Sequence, residues 1–220
     1  MGQEVLSENQ RAVIRAVAAA PELQHFYLSG GTALAAYYLS HRLSDDLDFF
    51  AAANPDPIFL RSFAAALTSA IGATAVRFQR LYERNQFFFA LPEGELKVEF
   101  THYPFPPLEK PMRRDGILID SARDIAANKL AALLDRFDPK DFVDLYFLSQ
   151  EFGLEKIRND TEKKFGATID PIFLGSELAK ARRIAALPRM LRPLTISELQ
   201  NFYTGLARQL QGEIFSADTS

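Results

Sequence analysis

LSGGTALAAYYLSHRLSDDLDFF, residues 28–50, places a glycine pair ahead of a helix and an acidic cluster ahead of a short apolar strand. In Asp46-Leu47-Asp48-Phe49-Phe50 the two-residue period of a strand puts Asp46 and Asp48 on one face and Leu47 and Phe49 on the other. Their α-carbons then lie roughly 6 to 7 Å apart, close enough for carboxylate oxygens to converge on a magnesium ion. Asp45 has the opposite parity and points away.

Ser29-Gly30-Gly31-Thr32 follows the apolar run Phe26-Tyr27-Leu28 and precedes a helical stretch from Ala33 to Leu39, so it reads as a tight strand-to-helix passage. Without side chains, the glycines let a phosphate approach the backbone, and N–H groups at the helix start can hold its oxygens. Ser29 or Thr32 can add a hydroxyl and Arg42 a charge against a triphosphate. The same polar groups can instead cap or stabilise the turn.

Outward from this stretch, residues 8–20 read as an alanine-rich helix that covers the first strand with Val13, Ile14 and Val17 and ends at Pro21. Asn54-Pro55-Asp56-Pro57 is a turn and helix entry. It leads into residues 58–71, whose Ile58, Phe59, Phe63, Leu67 and Ile71 are spaced to cover a sheet, with Gly72 as the stop. Strands are expected over 73–81 and 85–91 around a Tyr82-Glu83-Arg84 turn, with Phe87-Phe88-Phe89 assigned to core packing over base stacking. In residues 95–101, Leu96, Val98 and Phe100 share the apolar parity while Lys97, Glu99 and Thr101 face the other way. Glu99 is the candidate third carboxylate.

Residues 103–116 read as a linker or rim carrying Lys110, Arg113 and Arg114, and Ile117-Leu118-Ile119 as one short strand. Beyond them the chain turns helical. A helix from Ser121, with Asp124 in a local cap, carries Ile125, Lys129 and Ala132 along one side, and a second helix enters at Pro139 with Asp141 and Asp144 three apart. Helical patterns continue over 154–165, 171–186 and 195–210, with Lys163, Lys164, Lys180, Arg182, Arg183, Arg189 and Arg192 as basic positions that form an RNA-facing stripe if folding gathers them and solvated helix faces if it does not.

With 220 residues, 48% hydrophobic and 24% charged, the chain can bury a substantial core as one unit or two small domains. The absence of cysteine excludes disulfides, thiolate metal ligation and thiol nucleophiles, and three histidines give little basis for a zinc hydrolase. No dinucleotide-binding fingerprint accompanies the glycine pair. Neither a secretory pattern nor an apolar run of membrane-spanning length is present, so the expected location is cytoplasmic with no membrane partner. A net charge of −3 is compatible with RNA binding through a local positive groove.

The succession GGTAL, then RLSDDLDFF, resembles the AbiEii/AbiGii nucleotidyltransferase toxin family within the polymerase-beta-like nucleotidyltransferase superfamily. The resemblance implies an α/β or α+β fold: a nucleotidyltransferase-like mixed β-sheet flanked by helices, followed by a mainly helical C-terminal part. The expected division is a nucleotidyltransferase core over 1–119 and a helical domain over 120–220 that contributes to nucleotide and acceptor binding. It implies magnesium at Asp46, Asp48 and Glu99, where the family more usually has aspartate at the third position. It further implies nucleotide binding by Ser29, Gly30, Gly31, Thr32 and Arg42, phosphate binding by Lys129, and a functional aspartate in Arg136–Leu148, best matched by Asp144. The implied reaction moves a nucleoside monophosphate from an NTP to RNA, with tRNA as the favoured acceptor and a cognate antitoxin as partner. Transfer to a protein or small molecule, or an inactive nucleotide-responsive binding module, stands as the alternative.

Overall fold

The computed structural model describes residues 5–54 and 56–217, with only the helical backbone for 211–217. Pro55, part of the expected Asn54–Pro57 turn, lies outside the described residues. The chain divides into two compact units between Ala122 and Arg123.

The first unit is built on one mixed sheet. Its strands are β1 (Tyr27–Ser29), β2 (Leu47–Ala51), β3 (Ala75–Leu81), β4 (Arg84–Leu91), β5 (Gly94–His102), β6 (Met112–Arg114) and β7 (Ile117–Ile119), in the order β3-β4-β5-β2-β1-β7-β6. β2 runs parallel to β5 and β1 parallel to β7, while β1–β2, β3–β4, β4–β5 and β6–β7 are antiparallel. Strand alternation then sorts the side chains. Leu47, Phe49, Phe87, Phe89, Val98 and Phe100 are buried on one face, where the Phe100 ring packs on Phe49, Phe26, Phe63 and Phe87. Clustered aromatic burial of this kind supplies both transfer free energy and preferred ring geometry.

Two helices serve this unit's core. Helix α1 (Glu8–Ala19) is closed at its start by a reciprocal box in which Ser7 and Gln10 satisfy each other's backbone N–H groups, and it buries Val13, Ile14 and Val17. Pro21 is followed by a short 3₁₀ turn through Leu23. Helix α3 (Pro57–Ala70), entered through the Asp56 cap, buries Leu60, Ala64 and Leu67. The expected Ile58 contact fails, because Ile58 is 78% exposed and the buried stripe starts at Leu60. Between them, α2 (Gly30–Leu34) begins at the first glycine, earlier than the expected Ala33, and widens into a π-helical turn over Ala35–Leu39.

The second unit contains α5 (Pro139–Phe152), α6 (Leu154–Phe165), α7 (Pro171–Ala179) and α8 (Ile196–Ala217), together with α4 (Ala122–Asp135), whose first residue belongs to the other unit. Asp138 caps α5 and Asp170 caps α7. Leu130, Leu133, Phe142, Leu145, Leu148, Ile157, Leu174, Leu178, Leu199 and Tyr203 form its core. The buried Tyr203 hydroxyl donates to the Phe142 carbonyl at 2.6 Å, so the polar end of a core aromatic is satisfied.

Candidate active site

The face of the sheet opposite the phenylalanine core is polar. Register places Ser29 beside Asp48, Asp48 beside Glu99, and Glu99 beside Gln86, a row that crosses four strands. Asp46 lies just before β2 begins. Buried Gln10 of α1 donates to the carbonyls of Ser44 and Asp45 at 2.8 and 3.1 Å, and Thr32 donates to that of Asp46. The acid-bearing loop is therefore held from two sides by side chains whose own elements are packed.

Gly30 has φ +71°, and a Cβ there would stand 2.8 Å from Asp48 Oδ2. Both facts demand glycine: the backbone is left-handed, and the space belongs to the acid. At Gly31 a Cβ would collide with Arg42 Nη2. Arg42 is only 1% exposed and its guanidinium donates to the Leu43 carbonyl, so it supports the turn from inside, where sequence reasoning offered it to a triphosphate. Ser29 is likewise buried and donates to Asp120 at 2.7 Å, an anchor for the glycine turn that spacing alone did not suggest.

Lys97 stands among the acids. Its Nζ is 3.4 Å from Asp46, 3.3 Å from Asp48 and 3.4 Å from Glu99. Burial disfavours this ammonium, but the three carboxylates outweigh it and the lysine pKa is raised. Asp48 is raised as well, because burial outweighs the opposing pull of Lys97 and is reinforced by Glu99 and Asp46.

Glu99 has a different environment. Arg84 grips it with two hydrogen bonds of 2.5 and 2.8 Å, and Gln86 and Thr101 donate at 2.9 and 2.7 Å. Burial works to raise its carboxyl, but these donors and the Arg84 charge prevail and bring it down to about 2. Its oxygens are therefore engaged as acceptors at the position where the resemblance implies a third metal ligand. Among the described residues no three His, Cys, Asp or Glu side chains gather as metal ligands. A cation nevertheless fits between Asp46 and Asp48, since both carboxylates already converge on a single ammonium. Two residues of this site escaped sequence reasoning. The sequence places Arg84 in a turn and Lys97 on the Glu99 face with no role of its own, and the parity of Lys97 is the available signal.

In the second unit, Lys129 donates to Asp141 at 2.9 Å and lies 2.6 Å from Asp144, while Arg136 also pairs with Asp141. Asp141 and Asp144 are essentially solvent-free, so this is a buried charge cluster. Burial, reinforced by Asp144 and Asp141, pushes the Tyr203 phenol well up. Several scattered basic residues also have local partners: Lys164 pairs with Asp124, Lys180 with Glu177, and Arg183 and Arg192 stack on Phe137 and Phe147.

A family model described as the nucleotidyl transferase AbiEii toxin of a type IV toxin–antitoxin system matches residues 12–211. The chain belongs to the AbiEii nucleotidyltransferase toxin family. An uncharacterised protein of Aquifex aeolicus (strain VF5), aq_aa25, is 35% identical over 164 residues, covering 73% of this chain and 76% of the relative. A Helicobacter pylori protein described as a nucleotidyltransferase is similar in structure with TM-score 0.61 and 21% identity, covering 96% of this chain and 99% of its own. JHP933 from the same organism gives TM-score 0.57 and 22% identity, with 97% and 98% covered. These likenesses show a fold shared over nearly the whole chain. No helix among the described residues is long and apolar enough to cross a membrane.

Proposed function

We propose that the protein transfers a nucleoside monophosphate from an NTP to an RNA hydroxyl, with tRNA the favoured acceptor, as the toxin of a toxin–antitoxin pair. Family membership supports nucleotidyl transfer. The single observation that carries the assignment to this face is the convergence of Asp46 and Asp48 on one cation position beside the Gly30 turn. The acceptor oxygen forms a bond to the α-phosphorus as the bond to the bridging oxygen of pyrophosphate breaks, and the hydroxyl proton leaves to a carboxylate or water.

In this reading Asp46 and Asp48 hold a divalent cation, magnesium in the cell, which when bound offsets charge on the triphosphate. Gly30 and Gly31 leave their backbone open to phosphate. Thr32 orders the acid loop, Ser29 and Arg42 brace the turn from within, and Glu99 acts on the site through Arg84 and Lys97. Lys129 is assigned to phosphate binding, and Asp144 to supporting the site, on the resemblance of their motif alone.

The test is transfer from α-phosphorus-labelled NTPs to a panel of RNAs, proteins and small hydroxylated molecules, with magnesium present. Label in RNA that falls about 100-fold or more in D46N and D48N is the expected result. Label that persists in both variants contradicts the assignment, and label confined to protein or small molecules contradicts the acceptor.

A further inference from the structure

We propose that Lys97 is a tethered counterion which occupies the divalent-cation position and must be displaced for a metal to bind. The inference rests on Asp46 and Asp48 being the cation-binding pair. Three carboxylates meet here, and Arg84 satisfies one of them: its two bonds to Glu99 are short and bidentate. The acids left without a guanidinium are Asp46 and Asp48, and Lys97 is placed almost equally far from both.

Its three oxygen distances of 3.3 to 3.4 Å exceed those of a tight ammonium–carboxylate bond, about 2.8 Å. The ammonium therefore balances the group's charge while committed to no single partner. With its side chain 18% exposed on a flexible four-carbon stem and no short bond to hold it, Lys97 can swing away, whereas Arg84, although more exposed, is fixed by its bidentate grip on Glu99. A divalent ion placed between the same acids meets Lys97 as a like charge at close range. Free metal should consequently bind weakly, and loading should improve when an anionic nucleotide gives the ammonium another partner.

The experiment titrates Mn²⁺ without nucleotide into metal-free full-length protein at low ionic strength, reading free Mn²⁺ by electron paramagnetic resonance. K97M is expected to bind Mn²⁺ about tenfold or more tightly than the wild type, and K97M/D48N to lose that gain. In parallel, wild-type protein is treated with an amine-acetylating ester and Lys97 modification is followed by mass spectrometry. Added Mn²⁺ should raise it as the ammonium is released. Equal affinities for wild type and K97M, or labelling that Mn²⁺ leaves unchanged, overturn the proposal while leaving the acid pair standing. Binding in K97M/D48N as tight as in K97M puts the cation elsewhere and overturns both. If K97M does not fold, the wild-type labelling decides alone.

Discussion

Glu99 shows at the scale of one residue how the site was partly legible. Strand parity alone placed Asp46 and Asp48 together and put Lys97, Glu99 and Thr101 on one face, because alternation is a local property of a strand. What parity does not carry is the partner from another strand: Arg84 opens β4 opposite Thr101 and reaches diagonally to Glu99. That contact has a measurable consequence. The carboxyl is lowered from 4.5 to about 2, equivalent to about 3 kcal/mol of stabilisation of its charged form. A lowered folded-state value means the contribution is whole above about pH 4.5 and is lost as pH falls toward 2. E99Q should therefore be less stable than wild type by about that amount at pH 7, with the gap closing toward pH 2. Denaturant unfolding of both proteins across this range, in chelator, checks it; a gap that is absent at pH 7 or constant with pH contradicts the account. For Arg42 the residues left two roles open, a triphosphate contact or support of the turn, and only the folded turn shows its guanidinium filling the space Gly31 leaves open.

At the scale of elements, caps and breakers were readable where packing was not. Asp56 and the prolines at positions 57 and 139 announce helix starts through local hydrogen bonding and fixed backbone angles. β6 was missed because Met112-Arg113-Arg114 has no apolar alternation and exists through its pairing with β7. Lys164, beside Lys163, looked like a solvated charge; instead it bonds Asp124 of α4 at 2.7 Å with both side chains essentially buried. Removing one partner leaves a buried charge, so K164M should cost about 3 to 5 kcal/mol, and D124N/K164M should recover part of it. Thermal or urea unfolding measures the pair, and a K164M variant as stable as wild type contradicts a structural role for this α4–α6 link.

For the molecule as a whole, the sheet order was the least legible feature. β2, which carries Asp48 and follows directly on Asp46, sits between β5 and β1, yet β5 follows it only after a helix and two intervening strands. Local patterns do not state which distant strand becomes a neighbour, and the family likeness supplied that expectation. In the proposed function this arrangement makes Asp46 and Asp48 the cation-holding edge of a nucleotidyl transfer site next to Gly30. Anomalous diffraction from crystals grown with Mn²⁺ and a non-hydrolysable NTP tests it most directly. The account predicts a peak shared by the Asp46 and Asp48 carboxylates with the nucleotide's phosphates at the Gly30-Gly31 turn; bound nucleotide and metal located away from both acids would contradict it.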